Sequence, residues 1–208
     1  MKTILCYGDS NTWGYRPGSG ERYEQSERWT RRLQAMLGDG FSVIEEGQNG
    51  RTTVHDDPVD GFKNGLSYLL PCLESHKPVD LVVLMLGTND LKHRFAVSAA
   101  EIAKSVARLV QVIRSCEFGP AGQAPRVLLL APPPLGKLSH LADIFAGAYE
   151  KSLQLSGVYR QVAAERGCYF LDTATVVRLS DTDGVHLDAE QLPRLADAVA
   201  AAVREMPD

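Results

Sequence analysis

The chain has 208 residues, 44% hydrophobic and 23% charged, the balance of an ordinary globular domain with length for one substantial core and little for two. Its 22 Lys and Arg against 26 Asp and Glu leave a net charge of −4, so no electrostatic footprint for nucleic acid or an anionic membrane surface is present. No apolar stretch approaches the ~20 residues needed to span a bilayer. An apolar run starts directly after Met1 and Lys2, so no signal peptide is expected and the cytoplasm is the expected location.

Thr3 to Tyr7 is short and apolar and reads as a buried strand, with Gly8-Asp9-Ser10-Asn11 directly after it. A serine there stands at the carboxyl end of a strand, where open α/β sheets carry their chemistry. The plainer reading is a helix cap supplied by Asp9 or Ser10. Helical periodicity covers Arg28 to Leu37, and Phe41 to Glu45 reads as the second strand. Next comes Gly47-Gln48-Asn49-Gly50-Arg51-Thr52-Thr53, in which Gly50 permits close backbone approach to a ligand. Gly65 to Ser75 is helical in pattern, and the third strand, Leu81 to Leu86, runs into Gly87-Thr88-Asn89-Asp90. The Asn89 amide is placed to donate to a developing oxyanion without changing charge.

Ala99 to Cys116 is helical, Arg126 to Ala131 a strand, Phe145 to Glu165 helical, and Cys168 to Leu171 the fifth strand. Asp183-Gly184-Val185-His186 precedes a last helix, which Asp188-Ala189-Glu190-Gln191 is expected to open as a capping box. Pro193 is tolerated in the first turn, and Leu192, Leu195, Ala196, Val199 and Val203 fall on one face.

This alternation predicts an α/β fold of three layers, α/β/α, with a five-stranded parallel sheet in the flavodoxin-like order 2-1-3-4-5. There is no internal repeat, low-complexity segment or linker, so residues 1–208 are expected to form one domain. Three long segments leave the carboxyl ends of strands: Thr12 to Glu27, Gly47 to Asn64, and Pro132 to Ile144. Long irregular loops in compact domains are often functional, and these are expected to crowd around Ser10.

Cys6, Cys72, Cys116 and Cys168 form no C-x-x-C pair, and Cys6 and Cys168 read as small buried hydrophobes in strand-like runs. His55, His76, His93 and His140 show no paired metal-ligand spacing and read as surface or loop residues. No metal and no cofactor are expected. A flavin or dinucleotide site would need a glycine-rich phosphate loop after the first strand, and Asp9-Ser10-Asn11-Thr12 has no such pattern.

The remaining chemistry converges on a few residues. A serine hydroxyl needs a base to become a nucleophile, and an imidazole, with an ordinary pKa of about 6.5, suits that task near neutrality. His186 is the candidate base, and Asp183, three residues before it, can fix its tautomer. Ser10, Asp183 and His186 are thus the candidate catalytic set. The backbone N–H of Ser10 and of Gly50 and the Asn89 side chain are candidate oxyanion donors. Trp13, Tyr15 and Phe62, with Asn11 and Asn49, are candidate pocket residues. The absence of Gly-x-Ser-x-Gly argues against the α/β-hydrolase fold.

Gly8-Asp9-Ser10-Asn11, Gly50, Gly87-x-Asn89-Asp90 and Asp183-x-x-His186 together resemble the four sequence blocks of the SGNH, or GDSL-type, hydrolases, in order and over nearly the whole chain. Ile44-Glu45-Glu46-Gly47, Arg51-Thr52-Thr53, Asp56-Asp57-Pro58 and Pro132-Pro133-Pro134-Leu135 are similar to the bacterial arylesterase and acyltransferase branch. The resemblance implies a Ser10 nucleophile, a His186 base oriented by Asp183, and an oxyanion hole from Ser10, Gly50 and Asn89. It also implies small-molecule ester substrates, short acyl chains, acyl transfer to alcohols or peroxide, and homo-oligomers. Carbohydrate acetylesterase, thioesterase and lysophospholipase activities share this fold and stand as alternatives, with a non-catalytic flavodoxin-like binding domain as the last of them. Two positions depart from the family pattern: Glu45, where the second block often has asparagine, and Leu187, where proline often follows the histidine.

Overall fold

A computed structural model describes residues 1–207. Five parallel strands, β1 (Lys2–Gly8), β2 (Phe41–Gly47), β3 (Leu81–Met85), β4 (Arg126–Ala131) and β5 (Tyr169–Asp172), form one sheet in the order β2-β1-β3-β4-β5. This is the expected 2-1-3-4-5 order, with β4 at its expected bounds and the ends of the other strands shifted by at most two residues. The middle strands β1, β3 and β4 are covered on both faces, so they read as unbroken apolar runs instead of alternating ones.

A short helix α1 (Ser10–Trp13) follows β1, and α2 (Trp29–Leu37), α3 (Gly65–His76), α4 (Ala99–Ser115), α5 (Tyr149–Arg166) and α6 (Gln191–Glu205) complete the layers. Helix α2 packs on α6, and α4 on α3 and α5. The five apolar residues expected on one face of α6 are all buried. The helix nevertheless starts later than a capping box at Asp188 would place it. Gln191 opens it, and the Gln191 side-chain oxygen accepts the Arg178 N–H at 3.2 Å, so it is not engaged with Asp188. Cys168 is a second correction: it precedes β5 and is half-buried, because β5 is an edge strand, whereas Cys6 lies in the core. No helix among the described residues is long and apolar enough to cross a membrane.

Candidate active site

The central strand β1 ends at Gly8, which is paired with Gly47 of β2 on one side and Met85 of β3 on the other. The segments after these three strands therefore start side by side. Asp9 caps α1, its carboxylate accepting the Asn11 N–H at 3.0 Å, and Ser10 is the first helical residue. The helix cap is thus supplied by Asp9 and not by Ser10.

Ser10 Oγ lies 3.0 Å from His186 Nε2, and His186 Nδ1 lies 2.8 Å from Asp183 Oδ2. Asp183 Oδ1 also accepts the Val185 and His186 N–H groups at 2.8 and 2.9 Å. Burial pushes the Asp183 carboxyl up, but the His186 ring and these two N–H groups outweigh it and hold it below the usual carboxylate range. An ionised, anchored acceptor at Nδ1 leaves Nε2 to face the serine oxygen. Chemically, the array can take the Ser10 proton onto the imidazole. Asp9, directly before the serine, is pushed up to about 6 by burial, against the Asn11 N–H, His186 and Arg51.

Three candidate hydrogen-bond donors lie in the segments that follow β1, β2 and β3. The Ser10 and Gly50 N–H groups donate to nothing among the described residues. Asn89 uses one amide hydrogen on the Arg51 carbonyl, at 3.1 Å, and keeps the other. Gly50 has φ +80°, a left-handed conformation that glycine adopts without strain. Arg51 fastens this loop by donating to the Gly8 carbonyl at 2.9 Å and to the Glu46 carbonyl. The loop is tied again by Asp90, which follows Asn89 and is fully buried. It accepts the Thr53 N–H at 3.0 Å, the Thr53 hydroxyl at 2.5 Å and the His55 ring at 2.9 Å. All three long loops do meet here: Gly136 N–H donates to the Gly184 carbonyl at 2.8 Å, and the Tyr23 hydroxyl to the Leu187 carbonyl at 3.2 Å.

The five candidate pocket residues take different places. Asn11 is buried, and its amide bonds the backbone on both sides of His186, so it holds the base and does not face a ligand. Trp13 is half-buried beneath the Arg22 guanidinium, 5.2 Å from its ring. Tyr15 is half-buried and stacked on His186. Asn49 has a buried side-chain oxygen with no partner among the described residues. Phe62 is fully exposed and, with Gln48, Asn64 and Tyr68, lines an open cavity of about 760 Å³ at the end of β2.

The departures from the family pattern have structural reasons. Glu45 accepts hydrogen bonds from Arg28 at 3.1 Å and from the Thr30 hydroxyl, securing α2 to the sheet. Leu187 supplies an N–H, which proline lacks, to the Asn11 oxygen.

Sequence reading passed over one cluster. Cys72 and His76 lie one turn apart on α3, and with Glu46 they bring sulfur, nitrogen and oxygen atoms within 4.8 Å of one another. The i, i+4 spacing was its signal. His76 Nε2 and Glu46 Oε1 are hydrogen-bonded at 2.9 Å, and burial pushes the Cys72 thiol up to about 12. The Arg51 guanidinium, 4.3 Å from the Tyr7 ring and 5.5 Å from the Tyr68 ring, puts positive charge beside the cluster and opposes a cation there.

A serine, an imidazole and a carboxylate in sequential contact at the carboxyl ends of a five-stranded parallel sheet are the parts of a serine hydrolase. Residues 6–192 match the GDSL-like lipase/acylhydrolase family, and the chain belongs to that family. A carbohydrate acetylesterase from Sinorhizobium meliloti is 42% identical, with a TM-score of 0.95 over 98% of this chain and 99% of that one. An aryl esterase from M. smegmatis is 40% identical, with a TM-score of 0.95 over all of both chains. An acetylxylan esterase from Xylanibacter ruminicola is 25% identical over 97% of this chain, which spans only 43% of that relative's length.

Proposed function

We propose that the chain is a serine esterase that cleaves short-chain acyl esters through an acyl-enzyme on Ser10. Carboxylic ester hydrolysis is the activity class its family and its esterase neighbours support. The observation that carries the mechanism is the unbroken path from Ser10 Oγ through both ring nitrogens of His186 to Asp183. Ser10 Oγ bonds to the ester carbonyl carbon as its proton passes to Nε2. The oxygen that becomes negative is received by the N–H groups of Ser10 and Gly50 and the free Asn89 hydrogen. The carbon–oxygen bond to the alcohol then breaks, and the imidazolium protonates the departing oxygen. Water attacks the acyl-enzyme by the same route in reverse, and an alcohol or peroxide in its place makes the reaction an acyl transfer.

Residues 1–208 act as one unit in this reading, with no cofactor. The exposed Phe62 and Tyr68 offer a second copy of the chain an apolar surface, so a homo-oligomer belongs to the proposal. Sedimentation that finds only 22.7 kDa particles would remove that part. An acetylated carbohydrate as substrate is favoured by the carbohydrate acetylesterase neighbour.

The test is hydrolysis of p-nitrophenyl acetate, butyrate and octanoate, and of an acetylated sugar, by wild type and Ser10→Ala. Fast acetate turnover that disappears in the variant is expected. Equal rates in both proteins would make Ser10 a structural residue and end the proposal.

A further inference from the structure

Tyr15 stands outside the Ser10–His186–Asp183 path yet touches two of its members. Its ring is stacked on the His186 imidazole, with centroids 4.0 Å apart and planes inclined by 25°. Its backbone N–H donates to the Ser10 carbonyl at 3.0 Å. The mount beneath it is well built. The chain turns at Gly14 (φ +93°) and folds residues 14–23 into a small hairpin, with a bridge between Tyr15 and Arg22 and a 2.7 Å bond from Tyr23 N–H to the Gly14 carbonyl. The hairpin is fastened to Ser10 at one end. At the other, the Tyr23 hydroxyl donates to the carbonyl of Leu187, the residue after the histidine.

We propose that Tyr15 is a positioning residue for the reaction. The Asp183 hydrogen bond fixes one nitrogen of the imidazole but leaves the ring free to rock about that contact. The Tyr15 face removes this freedom and keeps Nε2 on Ser10 Oγ. The same face, electron-rich, stabilises the imidazolium that forms when the serine proton moves across. The ring carries the effect, because the hydroxyl has no hydrogen-bond partner among the described residues. This inference rests on the serine-esterase reading.

The experiment compares wild type with Tyr15→Leu, Tyr15→Gln, Tyr15→Phe and Ser10→Ala. It measures kcat and KM on p-nitrophenyl acetate and the proton NMR shifts of the His186 ring, assigned with His186→Gln. The two non-aromatic variants test the role independently of a fold defect in either. They are expected to lose about tenfold in kcat with KM altered less than about threefold. Their His186 ring protons move downfield as the ring current is lost, and phenylalanine restores both readouts. An inactive Ser10→Ala beside unchanged kcat in the non-aromatic variants would overturn the Tyr15 role alone. A change confined to KM would make Tyr15 a pocket wall, and a fully active Ser10→Ala would overturn both readings.

Discussion

Leu187 N–H donates to the side-chain oxygen of Asn11 at 3.0 Å, while the Asn11 amide donates to the Val185 carbonyl at 3.1 Å. One buried side chain, adjacent to the nucleophile candidate, thereby grips the backbone on both sides of the base candidate. The spacing between Ser10 and His186 is set by this clamp as much as by their own contact.

Asn11→Ala leaves the Val185 carbonyl and the Leu187 N–H buried without partners, at a cost of about 1–3 kcal/mol for each such group. A lower melting temperature and a fall of at least about tenfold in kcat are expected, since small misplacements of reacting groups are expensive. Leu187→Pro deletes the N–H, leaves the Asn11 bond to the Val185 carbonyl, and fixes φ next to His186; it should show a milder form of both effects. Thermal melts and p-nitrophenyl acetate kinetics check this, and a wild-type kcat in Asn11→Ala would show that the clamp does not align the pair.

Strand order, the three long loops and the candidates Ser10, Asp183 and His186, which the fold brings into contact, were legible in the sequence, because apolar runs and turn composition are local signals. The work of Asn11 was not, since its side-chain partners lie 174 and 176 residues away. The same holds for Tyr15, whose ring finds His186 only after a hairpin has folded back. The capping-box pattern at Asp188 misled for a related reason: the Arg178 N–H claims the Gln191 oxygen, a tertiary contact that overrides the local motif. Residues that hold the site are chosen by long-range geometry, and the candidates for reaction are recognised by type and spacing.

Gly87 is held at φ +124°, and a Cβ there would overlap the Tyr159 hydroxyl, which is fully buried and donates to the Leu86 carbonyl at 2.8 Å. Gly87→Ala therefore pays for an unfavourable backbone conformation and for a clash with a side chain that has nowhere to move. Destabilisation of about 2 kcal/mol or more is expected, with reduced kcat because Asn89 follows two residues later. Adding Tyr159→Phe should relieve the clash and recover part of the loss. A Gly87→Ala protein that melts like wild type would remove the steric account.

The carboxyl of Asp9, pushed up by burial from 3.8 to about 6, makes the fold sensitive to pH. Between those values the folded state binds more protons than the unfolded state, so stability falls as pH rises through the window. Asp9→Asn keeps an oxygen to accept the Asn11 N–H and removes the titration. The variant should be the more stable protein at pH 7.5, with its advantage shrinking towards pH 4. Melting both proteins across that range checks it, and an advantage independent of pH would mean that Asp9 does not titrate there.

The bond between His55 and Asp90 gives a slope of the same sign in a higher pH window. The Asp90 carboxylate raises the His55 pKa, partly offset by burial, so the folded state holds that proton more tightly than an unfolded imidazole. The resulting stabilisation is complete below the ordinary imidazole value of about 6.5 and is lost as pH rises through the higher folded value. His55 is partly exposed, which limits the gain to about 1 kcal/mol or less, a few degrees of melting temperature. His55→Gln should therefore melt below wild type at pH 5.5 and close to it at pH 9. Because Asp90 adjoins Asn89 and His55 lies on the loop that carries Gly50, a loss at pH 9 as large as that at pH 5.5 would assign the link to packing against Phe95, whose ring centroid is 5.4 Å away, and not to charge.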